Sequence, residues 1–449
     1  MRRWDAQQLA QAAGAQLVRE AATAGEGPTL ASIDSRAAGP GTLFVGLPGE
    51  HLDGGRFAPA ALTAGAWGVL IAAEHSERAA ASPTGGAVLA AADPLCALQR
   101  LANAWRHELG VSVIGVTGST GKTSTKDLLH SLLSPRRLTV ASQANFNTEI
   151  GLPLQILAAP AGTEVLVLEM GMRGPGQIAE LARIAEPDVG VIVSIGPVHL
   201  EMLGSIEAVA AAKAELIAGL APGSTAVVPA GERLLDQHLR AELDTVTFGE
   251  HGEVRFLSQS PTHVEIDARG ERIGLDLDFS AVHLRQDLLA AVAAARAVGV
   301  TPGGRLQLEL SPGRGQRRLL ADGVTLLDDA YNANPMSMRA ALEALAGMPV
   351  EGRRVAVLGD MLELGPEAEA HHREIGLHAR GIADVLVTVG PLAAAMAEEF
   401  NGESHVLADA ATAAALLPDL LRSGDAVLVK ASNGVGLKLV CERLTRVTA

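Results

Sequence analysis

The chain has 449 residues, 48% of them hydrophobic, and a formal net charge of −15. That length exceeds what one hydrophobic core usually supports, so two or three domains are expected, while no uncharged apolar stretch reaches the roughly 18 residues of a membrane-spanning helix. The acidic balance and an aromatic content of 2% exclude an extended nucleic-acid surface, which needs clustered cations and stacking platforms.

The N-terminal MRRWDAQQLAQ carries no apolar signal segment, and Cys96 and Cys441 have neither metal-type nor disulfide-type spacing, so a reducing, cytoplasmic setting is expected. Residues 1 to 90 alternate short apolar runs with turns, as in TLFVGLPGEHLDGGRFAPAALTAGAWGVLI, and predict a small α/β domain. Asp93 to Leu109 reads as a helix leading onward. Strand, turn and helix then repeat: VSVIGV before Lys122 to Leu133, EVLVLE before Gln177 to Ile184, DVGVIVSI before Glu207 to Leu220. That alternation predicts a parallel, doubly wound sheet. A strand-rich stretch from about Thr225 to Phe279 precedes an Ala-rich helix over Leu288 to Val298. The Pro/Gly stretch TPGGRLQLELSPGRG marks a second boundary. LLDD, RVAVLG, DVLVTVG and DAVLVKAS then predict the strands of a third α/β domain. The expected fold is α/β with three domains, at 1–90, 91–307 and 308–449. The central one is a doubly wound, P-loop ATPase-like, mostly parallel sheet, flanked by the small N-terminal α/β domain and a Rossmann-like C-terminal one.

Thr117-Gly118-Ser119-Thr120-Gly121-Lys122-Thr123 follows an apolar strand and opens a helix, where backbone N–H groups and the helix dipole favour a phosphate. Lys122 can meet outer phosphates and the Thr123 hydroxyl can hold Mg2+. The strict eight-residue pattern fails, because its first glycine falls at Val116; a glycine-rich turn that binds nothing is the alternative. Glu169 and His199 each follow a strand of the same sheet, so both belong to the rim where ligands of open parallel sheets bind. Taken singly, a strand-end glutamate can cap a helix and a loop histidine can be satisfied locally. Of 36 basic residues only five are lysines: Lys122, Lys126, Lys213, Lys430 and Lys438. Where arginine supplies nearly all the cation, a lysine points to a place that needs a compact or deprotonable amine. Even so, Lys213 in EAVAAAKAELIAGL reads by itself as a solvent-facing helical lysine. QANFNTEIGLP offers Asn145, Asn147, Thr148 and Glu149 in a polar loop, and LLDDAYNANPMSM offers Asp329, Asn332 and Asn334 at a strand end; both are also ordinary turn chemistry.

In order along the chain, TGSTGKTS, NFNTEIGLP, LEMGMRGPGQI and GPVHLEMLGSIEAVAAAKAEL resemble the motifs of the Mur ligase family, ATP-dependent amide-forming enzymes of peptidoglycan precursor synthesis. DDAYNANPMSM, LGDMLELGPEAEAHHREIG and SIDSRAAGPGTLFVGLPGEHLDGGRF are similar to the branch that joins D-alanyl-D-alanine to UDP-N-acetylmuramoyl-tripeptide. The resemblance implies that Gly118, Ser119, Thr120, Gly121, Lys122, Thr123, Ser124 and Asn145 bind ATP, with Arg314, Asp329, Asn332 and Asn334 contributed by the third domain. It implies two Mg2+ sites held by Thr123, Glu169, His199 and a carbamate on Lys213, with Lys122, Glu169, His199 and Lys213 catalytic. Ser32, Asp34, Ser35 and Arg36 would lie in the uridine-nucleotide pocket, and Asn147, Thr148 and Glu149 would meet substrate. His283-Leu284-Arg285-Gln286-Asp287 stands where the family usually shows His-Asn-x-x-Asn, which makes Asp287 a candidate ATP contact. Lys430-Ala431-Ser432-Asn433 stands where Lys-Gly-Ser-Arg is common. A monomer is expected. The rivals are a sister ligase adding a single amino acid, such as a diaminopimelate- or lysine-adding enzyme or a folylpolyglutamate synthetase, a non-catalytic scaffold, and a P-loop GTPase or kinase.

Overall fold

A computed structural model describes residues 1, 3–21, 26–143, 146–279 and 283–447. Their strands form three sheets in chain order. The first has five strands in the order Gln16–Arg19, Ala87–Ala91, Gly68–Ala72, Thr42–Val45, Leu30–Ser32, parallel except for the first pair. Its inner strands are almost wholly buried, as continuous apolar runs of a parallel sheet covered on both faces should be.

The helix Pro94–Leu109 leads into the second sheet. Asp93 caps it by accepting the N–H groups of Leu95 and Cys96, proline occupies its first turn, and Gly110 ends it in the left-handed conformation, the expected asymmetry of helix ends. Its buried face belongs to one apolar cluster that runs from Leu9 and Leu43 through Leu98 and Trp105 to Leu152 and Leu181. The first two sheets therefore share a core, with Trp4 edge-on to Trp105 at 5.3 Å.

The second sheet has ten strands in the order Gly304–Leu306, Glu271–Leu277, His263–Ala268, Val254–Gln259, Asp244–Phe248, Thr225–Pro229, Val189–Ile192, Ser112–Thr117, Val165–Glu169, Thr139–Ala141. From Asp244–Phe248 to Thr139–Ala141 it is parallel. Val254–Gln259, His263–Ala268 and Glu271–Leu277 pair antiparallel, and in the last two burial alternates residue by residue, because only one face of this wing is covered. The covering helix spans His283–Ala297 and begins five residues before the start expected at Leu288. Its first five residues include Arg285 and Asp287, whose polarity conceals the helical period, yet both are buried.

The Pro/Gly junction first completes this sheet, since Gly304–Leu306 pairs parallel to Glu271–Leu277. Ser311 then anchors the chain: its N–H and hydroxyl donate to the two carboxylate oxygens of Asp127, and the ammonium of Lys126 reaches the Ser311 hydroxyl and Asp127 itself, at 2.8 Å. The third sheet orders Gln316–Leu319, Thr325–Asp328, Ala426–Lys430, Arg354–Gly359, Val385–Val389, Glu403–Leu407 and is parallel after its first pair. Separate apolar clusters cover its two faces. The edge strands Gln316–Leu319 and Glu403–Leu407 are largely exposed and lack the apolar run by which a strand is read from sequence.

Candidate active site

The carboxyl ends of the parallel strands of the second and third sheets face one cleft of about 890 Å3, within the size range of small-ligand pockets. On one side lies the loop Gly118–Gly121. Gly121 has φ +79° and precedes the helix Lys122–Leu133 with no side-chain cap, so the first-turn N–H groups are left for a ligand. A Cβ on Gly121 would stand 2.4 Å from Oδ1 of Asp287, so both conformation and space require glycine. The Ser119 hydroxyl donates to the Gly196 carbonyl at 3.0 Å and accepts the Gly196 N–H at 2.9 Å. The Thr120 N–H donates to Ser194 Oγ at 2.9 Å. The Ser119 hydroxyl and the Thr120 hydroxyl, the latter 3.1 Å from Ser194 Oγ, thus tie the loop to the neighbouring strand end, and both residues line the cleft.

Lys122 Nζ donates to the Gly118 carbonyl at 2.7 Å. Burial lowers its pKa, against the opposing pull of the Glu169 carboxylate. The Thr123 hydroxyl donates to one Glu169 oxygen at 2.8 Å and the Asn147 amide to the other at 2.9 Å. Two separate segments thus reach one carboxylate, carried by a third. Lys213 is not solvent-facing: it is 1% exposed and lines the cleft. Burial, and then the charge of Lys122, push its pKa well below the ordinary lysine value. The helix Ile206–Ala218 is apolar nearly all round, which is why a lysine within it is carried inward. His199, with φ +54°, also lines the cleft. Burial lowers its pKa, opposed by Glu363, whose carboxylate meets its Nδ1 from the third sheet's side.

The third sheet supplies the opposite wall. Arg314 lies over the Tyr331 ring, 4.0 Å from its centroid. Lys430 Nζ is 2.6 Å from Asp329 Oδ2 and 2.9 Å from the Asn332 carbonyl, and burial still wins, lowering its pKa. Asn334 caps the helix Pro335–Ala346 through its Oδ1, while its Nδ2 donates to the Ser119 carbonyl at 3.3 Å across the cleft. Ser124, Thr148 and Glu149 line the cleft as well.

Not every expected residue meets there. Ser32 ends the edge strand of the first sheet, and Asp34, Ser35 and Arg36 follow it, with Asp34 holding Arg36 at 2.9 Å on an exposed turn. That strand packs on the helix Gly151–Ala158, which continues directly from Asn147, Thr148 and Glu149. Asn145 lies outside the described residues. Glu363, Tyr331 and the Lys126–Asp127–Ser311 group were not foreseen. The scarcity of lysine could have pointed to Lys126; nothing local marks Glu363.

The Thr123 hydroxyl and Glu169 carboxylate are oxygen donors of the kind a hard cation takes, its remaining ligands coming from phosphate, and the imidazole of His199 and the buried amine of Lys213, which has no hydrogen-bond partner among the described residues, line the same cleft. Among the described residues, the one group of three acids and histidines with ligand atoms within 4.8 Å is Asp53, Glu74 and His75, in two short turns beside the first sheet.

Comparison with known proteins gives one answer along the length of the chain. Residues 29–107 match the family described as Mur ligase family, catalytic domain, residues 116–295 the Mur ligase middle domain, and residues 313–433 the Mur ligase glutamate ligase domain. The UDP-N-acetylmuramoyl-tripeptide–D-alanyl-D-alanine ligase of Bacillus subtilis is 36% identical over 428 residues, covering 92% of each chain. The crystal structure of MurF from Acinetobacter baumannii superposes with a TM-score of 0.85 at 28% identity, covering 99% of each chain. MurF ligase from Thermotoga maritima, solved in complex with ADP, gives 0.79 at 29% identity, over 93% of this chain and 97% of that one.

Proposed function

The chain belongs to the Mur ligase family, and from that premise we propose that it joins D-alanyl-D-alanine to UDP-N-acetylmuramoyl-tripeptide in peptidoglycan precursor synthesis, with hydrolysis of ATP to ADP and phosphate. The observation that carries the reading is the convergence of Lys122, Thr123, Glu169, His199 and Lys213 with Arg314 and Asp329 on one cleft, in a chain that aligns over 92% of its length with a ligase of that name.

The reaction must bring a peptide carboxylate to the γ-phosphorus of ATP. Two unit charges 4 Å apart repel by about 4 kcal/mol at an effective dielectric near 20. The Lys122 ammonium and the free N–H groups after Gly121 offset this by holding the triphosphate. Thr123 and Glu169 would hold one Mg2+, His199 and Lys213 a second; bound Mg2+ supplies further charge neutralisation and alignment. Attack by the carboxylate expels ADP and leaves an acyl phosphate. The free amine of the dipeptide then attacks its carbonyl, phosphate departs, the amine loses its proton and an amide remains. Closure of the third domain over the cleft keeps water from the acyl phosphate. Lys213 suits a further modification: its neutral amine, favoured by burial, can add CO2 to give a carbamate and a proton, which arginine cannot do. Ser32, Asp34, Ser35 and Arg36 serve the uridine end, and Asn147, Thr148 and Glu149 the peptide between. The cytoplasm is the place of action.

The test is phosphate release with ATP, UDP-muramoyl tripeptides ending in diaminopimelate or lysine, and a panel of amines. Turnover with D-alanyl-D-alanine is expected; turnover with a single amino acid alone would identify a sister ligase, and no turnover at all a scaffold. In the same assay Lys213→Ala should lose about 10²–10³-fold in kcat and regain part of it with added short carboxylates. Full activity in that variant would remove the carbamate.

A further inference from the structure

Glu363 has no part in the scheme so far. It follows the strand Arg354–Gly359 in the third domain, yet its carboxylate meets Nδ1 of His199 in the second. Its carbonyl accepts the Glu201 N–H at 3.3 Å, and Arg173 approaches the same carboxylate at 3.9 Å. Both partners hold a backbone conformation that side chains disfavour, φ +54° at His199 and +62° at Glu363. Among the described residues only four that are not glycine do so, and two of them meet here. Such a conformation costs about 1–3 kcal/mol and persists where its surroundings impose it.

On the Glu363 side the surroundings are in place. The Met361 N–H donates to Nε2 of His372, which is fully buried, and His372 Nδ1 bonds the Ala368 carbonyl at 2.6 Å. The Leu362 N–H donates to the Ser432 hydroxyl at 2.9 Å. Two successive residues before Glu363 are thereby fixed, which aims its carboxylate. An ionised carboxylate can only accept, so Nδ1 of His199 carries the proton and donates. Nε2 keeps its lone pair, has no protein partner among the described residues, and belongs to a ring that lines the cleft with Lys122 and Lys213. A carboxylate behind a histidine fixes the ring and its tautomer and strengthens the other nitrogen as a metal ligand.

We propose that Glu363 is a positioning residue whose carboxylate, supplied by the third domain, orients His199 toward a divalent cation, so that this cation site is complete only when the third domain is docked. The proposal rests on the reading of His199 as a metal ligand. It makes docking and metal capture one event: a chain with its third domain swung away presents a loosely held imidazole and binds the second cation weakly. Acyl phosphate chemistry then begins only under a closed cleft.

The experiment is titration of the full chain with Mn2+, followed by electron paramagnetic resonance, in the presence of a non-hydrolysable ATP analogue. Wild type is compared with Glu363→Ala, Glu363→Gln and His199→Ala, each first checked for a wild-type thermal transition. The expected result is a 10- to 100-fold weaker second Mn2+ site in Glu363→Ala, with most of the affinity regained in Glu363→Gln, whose amide oxygen still accepts the Nδ1 proton. Nucleotide affinity without metal should not change, which a mere pin between domains would not predict. Wild-type Mn2+ binding in Glu363→Ala, with one site lost in His199→Ala, would overturn the role of Glu363 alone. Two intact sites in His199→Ala would overturn the metal assignment of His199 and this proposal with it. Equal loss in the Ala and Gln variants would overturn the orienting bond.

Discussion

Asp287 is 7% exposed, packs against Gly121 of the phosphate loop, and has no cation or donor among the described residues. Burial therefore pushes its pKa up to about 8, from 3.8 in the unfolded chain. Because the folded value is the higher one, folding favours the protonated acid. The stability this gives is complete below pH 3.8 and drains away as pH rises toward 8. Asp287→Asn removes that drain. Its melting temperature should exceed wild type by a margin that widens from pH 5 to pH 8, by several degrees, since about 1 kcal/mol moves Tm by ~2–4 °C in domains of this size. Scanning calorimetry at both pH values checks it; a constant margin would contradict the buried-acid account. The same residue measures how far sequence reading reaches. Position 287 was legible as a nucleotide-cleft candidate, whereas its burial without a partner was not, because the loop it packs on lies 166 residues earlier. Lysine scarcity was the better signal. Lys126, Lys213 and Lys430 are all under 5% exposed, and only Lys438 stands largely in solvent.

The phosphate loop and its helix were legible as an element, since a buried strand, a glycine turn and an uncapped helix start are local features. The expected Lys122 to Leu133 is the helix observed. The start of the helix His283–Ala297 was not, because polar residues that a surface helix would expose are here buried, Asp287 against the loop and Arg285 against Gln259 and Ser260. Gly121→Ala tests the contact between these two elements. The alanine must hold φ near +79° and push against Asp287, which should cost about 1–3 kcal/mol of stability and lower affinity for an ATP analogue by at least about tenfold. Isothermal titration alongside urea unfolding separates the two effects. Unchanged affinity would mean that the loop cradles no phosphate.

Across the whole molecule, the third domain is held on the second by the Asn334–Ser119 and Glu363–His199 contacts at the cleft and by the Lys126–Asp127–Ser311 group at the hinge. The first group is polar and partly exposed, the second buried, so the junction should act as a fixed pivot and the cleft as the side that opens. Small-angle scattering should give a radius of gyration that falls by ~1 Å, against a compact expectation of roughly 22 Å, when an ATP analogue and UDP-muramoyl tripeptide are added. No change would count against closure. By itself, the sequence determined the three α/β units, the parallel strands and the chemistry of the phosphate loop, because hydrophobic period and turn residues act over a few neighbours. Only the tertiary structure decided that Lys213 points inward, that Ser119 and Thr120 are tied to the end of the neighbouring strand, and that Glu363 reaches His199. Each of these depends on surfaces brought together from distant parts of the chain, and burial, which sets their charge and their partners, does not exist until those surfaces meet.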